Sequence, residues 1–126
     1  MAEAIKEKLL EVEEVRQRIE DLRTKVGEMA DYIRIDERRK TLAELEDRQA
    51  SGDFWNDQNK AREVIAATNA ERAYVIPYDS LLKTVEDAAV MLELAEMEEG
   101  VAQQNALADT LAECAKADDY FAKLRL

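Results

Sequence analysis

The stretch Val12-Glu-Glu-Val15-Arg-Gln-Arg-Ile19-Glu-Asp-Leu22-Arg-Thr-Lys-Val26-Gly-Glu-Met29-Ala-Asp-Tyr-Ile33 decides the fold class. With Ile5 upstream, Val12, Ile19, Val26 and Ile33 recur every seven residues, and Val15, Leu22 and Met29 sit three further on. Lys8 interrupts the second series, where Leu9 beside it is expected to cover. An apolar seam of period 3.5 marks a helix that packs lengthwise against another helix. Five β-branched residues at one heptad position favour a two-stranded parallel coiled coil in isolation. An intramolecular bundle would use the same stripe, so the pattern leaves oligomeric state and helix pairing open.

Outward from this seam, the rest of the chain is read as helical too. Apolar residues make up 47% and charged residues 37%, with three Gly and one Pro, which is the balance of long amphipathic helices. Strands find no support, because β-branched clusters bounded by Gly or Pro turns are missing. The heptad phase is lost after Ile33, where the next position is Lys40. Asp36 is expected to N-cap a second helix running through Arg48, with Leu42 and Leu45 as its apolar edge. Ala50-Ser51-Gly52 reads as a helix stop and turn, with Gly52 able to take the left-handed conformation at low cost.

A third helix is expected after Asp57, read as its capping acid, running to about Met97. Its apolar positions are Val75, Tyr78, Leu82, Val85, Ala89 and Leu92, spaced alternately by three and four. Pro77 falls inside it and predicts a kink or break near residues 73–77. Gly100 ends this helix, and a fourth runs from about Val101 to the C-terminus, burying Leu107, Leu111, Cys114, Phe121 and Leu124. The expected fold is all-α, a bundle of about four long helices in coiled-coil-like hairpins, forming a single domain over residues 1–126.

Twenty-nine acidic against eighteen basic residues give a net charge of −11, a surface that phosphate backbones repel. Direct nucleic-acid binding by this chain is therefore not expected. Arg16 to Arg48 holds nine basic and nine acidic residues, whereas Thr84 to Asp119 holds ten acids and only Lys116, a net of −9. The acidic half should prefer a basic protein surface or open solvent. Arg34, Arg38, Arg39 and Lys40 form the best basic cluster, but Asp31, Asp36 and Glu37 lie among them, and surface pairing outweighs an RNA contact.

Histidine is absent, which removes Ser-His-Asp and Cys-His catalysis and the common zinc motifs. No glycine-rich nucleotide loop or calcium loop occurs. Cys114 stands alone and reads as a small core residue rather than a reactive thiol. Glu96, Glu98 and Glu99, or Asp118 and Asp119, could be imagined around a metal, yet such runs usually form a solvated helix face. No catalytic, cofactor or metal site is assigned, and the chain is not read as an enzyme. Neither a signal peptide nor a run of about 18 apolar residues is present, so a cytoplasmic protein without membrane contact is expected.

Leu42-Ala-Glu-Leu-Glu-Asp-Arg-Gln-Ala-Ser-Gly-Asp-Phe-Trp-Asn-Asp57 is the most distinctive segment. It resembles the N-terminal helical domain of bacterial class-one peptide chain release factors, above all the type 2 subclass. There a Leu/Glu-rich helix leads into Asp-(Phe/Val)-Trp-(Asp/Asn)-(Asp/Glu)-Pro and a long helix. Asp53, Phe54, Trp55, Asn56 and Asp57 match that pattern, and Gln58 replaces the proline, a mild change at a first helical position. Lys60-Ala61-Arg62, Val85-Glu86-Asp87 and Leu92-Glu93-Leu94-Ala95-Glu96 continue the similarity, and Tyr32-Ile-Arg-Ile-Asp36 parallels the Tyr-x-x-x-Asp that opens the family's second helix.

The resemblance implies a translation termination factor that, at full length, reads UGA and UAA through a Ser-Pro-Phe-like tripeptide and triggers peptidyl-tRNA hydrolysis with Gly-Gly-Gln. Neither motif is here, since the only glycines are Gly27, Gly52 and Gly100 and the only proline is Pro77. The chain is thus expected to be a fragment, without the codon-reading and Gly-Gly-Gln domains. The resemblance also implies that this domain meets the ribosomal stalk base, and Glu93, Glu96, Glu98 and Glu99 are the candidate partner surface. A free-standing coiled-coil adaptor or chaperone-like protein stays open, as does a small helical enzyme using Arg and Glu side chains. Phe54 and Trp55, paired in a turn, are expected to bury against the helices they connect, with an exposed partner-binding plug as the alternative.

Overall fold

In the computed structural model, which describes residues 9–125, helix α1 spans Val12–Ile33 and turns its heptad seam inward. Val15, Ile19, Leu22, Val26, Met29 and Ile33 are all buried. Ile5 and Lys8 lie outside the described residues. Leu9 does not cover the seam as expected, being 70% exposed. Helix α1 begins only at Val12, so helical phase no longer governs where Leu9 points. Leu10 packs against the core instead. Its backbone N–H donates to Gln104 Oε1 and its carbonyl accepts from Gln104 Nε2, each at 2.8 Å.

Helix α2 spans Ile35–Gln49 and follows α1 across one residue, Arg34, which sits in the left-handed region at φ 57. Asp36 is therefore not the N-cap expected for it. The left-handed corner starts the second helix directly after the first, and Asp36 falls within the first turn beside Glu37. Both carboxylates still complement the positive end of the helix there. Ile35 and Leu45 are buried, and Leu42 packs at the edge of the core. Past α2, Ala50 keeps a right-handed conformation at φ −81, and Gly52 does not have a positive φ. The reversal is made by successive short turns, with Phe54 N–H donating to Ser51 O at 3.2 Å and Asn56 N–H to Asp53 O at 3.1 Å. A single 3₁₀ turn covers Phe54–Asn56.

Helix α3 spans Gln58–Glu96, close to the expected bounds, and is about 60 Å long at 1.5 Å per residue. Asp57 caps it by accepting from Lys60 N–H at 3.1 Å. The helix passes through Pro77 without the break considered for that point. Proline in a helix interior costs about 3 kcal/mol or more. Val75, Tyr78 and Leu81 are buried around it, and full burial of such a side chain contributes about 1.5–3 kcal/mol. Tertiary packing thus outweighs the local penalty. Leu81 and Ala88 are completely buried, while the expected Leu82 and Ala89 are only half-buried. Helix α3 packs against α1, α2 and α4, so its inward face is wider than one seam.

Helix α4 spans Gly100–Leu124 and returns along α3 after a short turn. Gly100, at φ 59, opens α4, while Met97 caps α3. Gln103 Nε2 donates to the carbonyls of Ala95 and Glu98, at 3.2 and 2.9 Å, closing the end of α3. Leu107, Thr110, Cys114, Ala117, Phe121 and Leu124 are buried, and Leu111 packs partly buried against them. The buried hydroxyls of Thr68 and Thr110 donate to Val64 O and Ala106 O, at 2.7 and 2.8 Å. The described residues form four α-helices and no strand, as the composition and periodicity required.

Candidate docking surfaces

The Asp53–Asp57 segment forms the reversal between α2 and α3. Ser51 Oγ donates to Asp53 Oδ1 at 2.5 Å, and this hydrogen bond holds the Asp53 carboxyl below its usual range. Phe54 is half-buried and lines an open hollow of about 390 Å³ with Arg48, Ser51, Asn56, Lys60 and Val64. Trp55 does not bury as expected. It is 64% exposed and meets Phe54 edge to face, the ring centroids 4.6 Å apart. A 3₁₀ turn only three residues long at the tip of a hairpin has one side toward the helices, and Phe54 takes it.

The basic cluster is tied into the fold. Arg38 Nε donates to Ile33 O at 2.7 Å, supplying a partner for a carbonyl in the last turn of α1. Its guanidinium lies 3.6 Å above the Tyr74 ring and 3.4 Å from Glu71, so one side chain joins α1, α2 and α3. Arg39 pairs with Asp79 at 2.5 Å, Arg34 with Glu37 at 3.0 Å, and Arg72 pairs back to Glu46 at 3.1 Å. Lys40 is exposed. These contacts agree with surface pairing as the reading of this cluster.

The four candidate glutamates do not behave alike. Glu96 pairs with Arg16, which also pairs with Glu13. Glu93, Glu98 and Glu99 are exposed and make no ion pair among the described residues. Elsewhere on the acidic half, Asp118 pairs with Arg18 at 2.5 Å, Asp87 with Lys83 at 2.7 Å and Glu113 with Lys116 at 3.0 Å. Val90, Leu94, Met97 and Val101 stand exposed beside the unpaired glutamates. Sequence reasoning passed over them. Val90, Leu94 and Met97 do share a helical spacing, but the buried Val85, Ala88, Leu92 and Ala95 show the same periodicity on the same helix.

Among the described residues no group of three or more His, Cys, Asp or Glu is placed to hold a metal. Cys114 is fully buried, and burial pushes its thiol above the ordinary range, as suits a packing residue. No described helix is long and apolar enough to cross a membrane.

Curated relatives share the name peptide chain release factor 2. The protein from Exiguobacterium sp. is 30% identical over 112 residues, covering 89% of this chain and 31% of the relative. That from Nocardia farcinica is 38% identical over 79 residues, covering 63% of this chain and 21% of the relative. That from Staphylococcus aureus is 25% identical over 118 residues, covering 93% and 32%. The chain spans about a third or less of the length of these relatives. No protein-family model and no solved structure matches it.

Proposed function

We propose that this chain, which is related in sequence to a segment of peptide chain release factor 2, is the N-terminal helical domain of a cytoplasmic translation termination factor and docks that factor on the ribosome. The observation that carries the reading is the similarity over 112 residues of the chain. In the whole factor, recognition of UGA and UAA and the triggering of peptidyl-tRNA hydrolysis belong to other domains, since this chain has neither Ser-Pro-Phe nor Gly-Gly-Gln. Its part is positional and needs no cofactor.

The partner is the protein region at the ribosomal stalk base, met through the acidic half of the chain. Glu93, Glu98 and Glu99 have charge to offer a basic protein, whereas Arg38 and Arg39 are engaged within the fold. Complementary charge of this kind speeds encounter more than it adds affinity. Purified chain added to termination complexes should slow the association of full-length release factor 2 and should release no peptide by itself. Codon-dependent release by residues 1–126 alone would overturn the reading, as would an absence of competition. Replacing Glu93, Glu98 and Glu99 by Lys, with the Arg16–Glu96 pair left intact, should weaken competition at low salt and matter less as salt rises.

A further inference from the structure

The end of the α3–α4 hairpin leaves large apolar side chains exposed. Val90 and Leu94 stand at i and i+4 on one face of α3, and Met97, the right-handed residue that caps the helix, continues that phase at i+7. All three are between 53% and 78% exposed. Single exposed apolar residues are ordinary, but a stripe of them on one helix side is what an interaction surface presents. Glu93, Glu98 and Glu99 lie in the same stretch, exposed and without an ion pair among the described residues. Nothing basic offsets them between Thr84 and Lys116.

We infer that Val90, Leu94 and Met97 form a docking face for a basic amphipathic helix of a protein partner. Its apolar side lies along the stripe and its Lys or Arg side chains reach the flanking glutamates. The inference rests on the acidic half being the protein-facing side, and it adds what the charges cannot supply. Exposed charges are screened by salt and govern how fast partners meet, while desolvated apolar anchors govern how slowly they part. An rRNA backbone fits poorly, because phosphates would face the glutamates. Arg and Lys of a protein helix satisfy the glutamates and leave the stripe to apolar side chains.

Two probes separate this inference from the ribosomal reading. The first is a synthetic helix with Leu on one face and Lys on the other, titrated into the chain while the Val, Leu and Met methyl resonances are followed. Shifts should centre on Val90, Leu94 and Met97, and Leu94→Ser with Met97→Ser should weaken binding about tenfold or more. A peptide of the same composition with its Leu and Lys scrambled should bind more weakly. Equal binding by the scrambled peptide, shifts centred on Trp55 or Tyr32, or unchanged affinity of the double variant would each overturn the docking face. The second probe is the large ribosomal subunit. The double variant should dissociate from it faster at unchanged association rate, and the reverse pattern would overturn the anchoring role. A chain that binds the amphipathic peptide as expected but not the subunit leaves the docking face standing and removes the ribosomal assignment alone.

Discussion

The corner between α1 and α2 and the turn between α3 and α4 are both short reversals that join long helices, yet they treat their polar and apolar groups in opposite ways. At the first corner the charges are used internally. Arg38 bonds the carbonyl of Ile33, covers Tyr74 and reaches Glu71, and Arg39 reaches Asp79. At the second turn Gln103 closes the backbone, while Glu98 and Glu99 face solvent beside Met97, which is 78% exposed. One end uses its charges to hold helices together, and the other leaves charged and apolar side chains exposed. A basic cluster in sequence is therefore no guide to a basic docking site, because its charges can be spent on the fold.

The comparison breaks most readily at Arg38. Arg38→Ala should lower stability by about 2–3 kcal/mol, since it leaves a carbonyl without its charged donor and removes a cation–π contact. Leu94→Ser at the other end should change stability by less than about 0.5 kcal/mol, as exposed substitutions usually do. Denaturant unfolding of both variants checks the contrast, and equal losses would abolish it. Any charge reversal at Arg38 meant to probe partner binding needs the same control, because it would damage the corner first.

Gly100→Ala tests whether the second turn depends on its backbone. With φ at 59 and no atom within 4 Å of an added Cβ, the cost should be conformational, about 1 kcal/mol. Thermal unfolding should show a fall of roughly 3–5 °C at this chain length. A much larger fall would mean that the turn is held by packing.

Trp55→Ala should cost less than about 1 kcal/mol, against the 3–5 kcal/mol of an aromatic truncated in a core. Tryptophan emission from the native chain should be close to that of a solvated indole. A blue-shifted band with a large loss of stability would return Trp55 to the core. The smallest effect is expected at the first corner, where Arg34→Gly should raise stability by a few tenths of a kcal/mol. It relieves the left-handed strain and gives up only an exposed pair with Glu37. A loss on that substitution would show that the Arg34 side chain contributes more than its exposure suggests.

Much of the fold was legible because helical burial leaves a periodic trace. Val15 through Ile33 could be assigned to the core from spacing alone, and Asp57 could be placed as the cap of α3 from its position before a helical run. The candidate docking surfaces were less legible. Trp55 and Phe54 are adjacent in the chain and alike in chemistry, so nothing local says which one faces the helices. Val90, Leu94 and Met97 share their period with the buried residues beside them, and only the place of α4 and α1 against α3 sorts the two sets.

By itself the amino-acid sequence determined what depends on neighbours along the chain: four amphipathic helices, the cap at Asp57, the reversals near residues 34, 50–57 and 97–100, and the lack of any histidine-based chemistry. Tertiary structure alone decided what depends on residues distant in the chain. It kept α3 continuous through Pro77 by burying Val75, Tyr78 and Leu81, and it drew Arg38 to Tyr74 and Glu71. It also tied Leu10 to Gln104 and left the Val90–Met97 face open. A helix can present apolar residues on several sides at once. Which side is buried is settled by the helices that arrive against it, and that arrival has no signature in the local pattern.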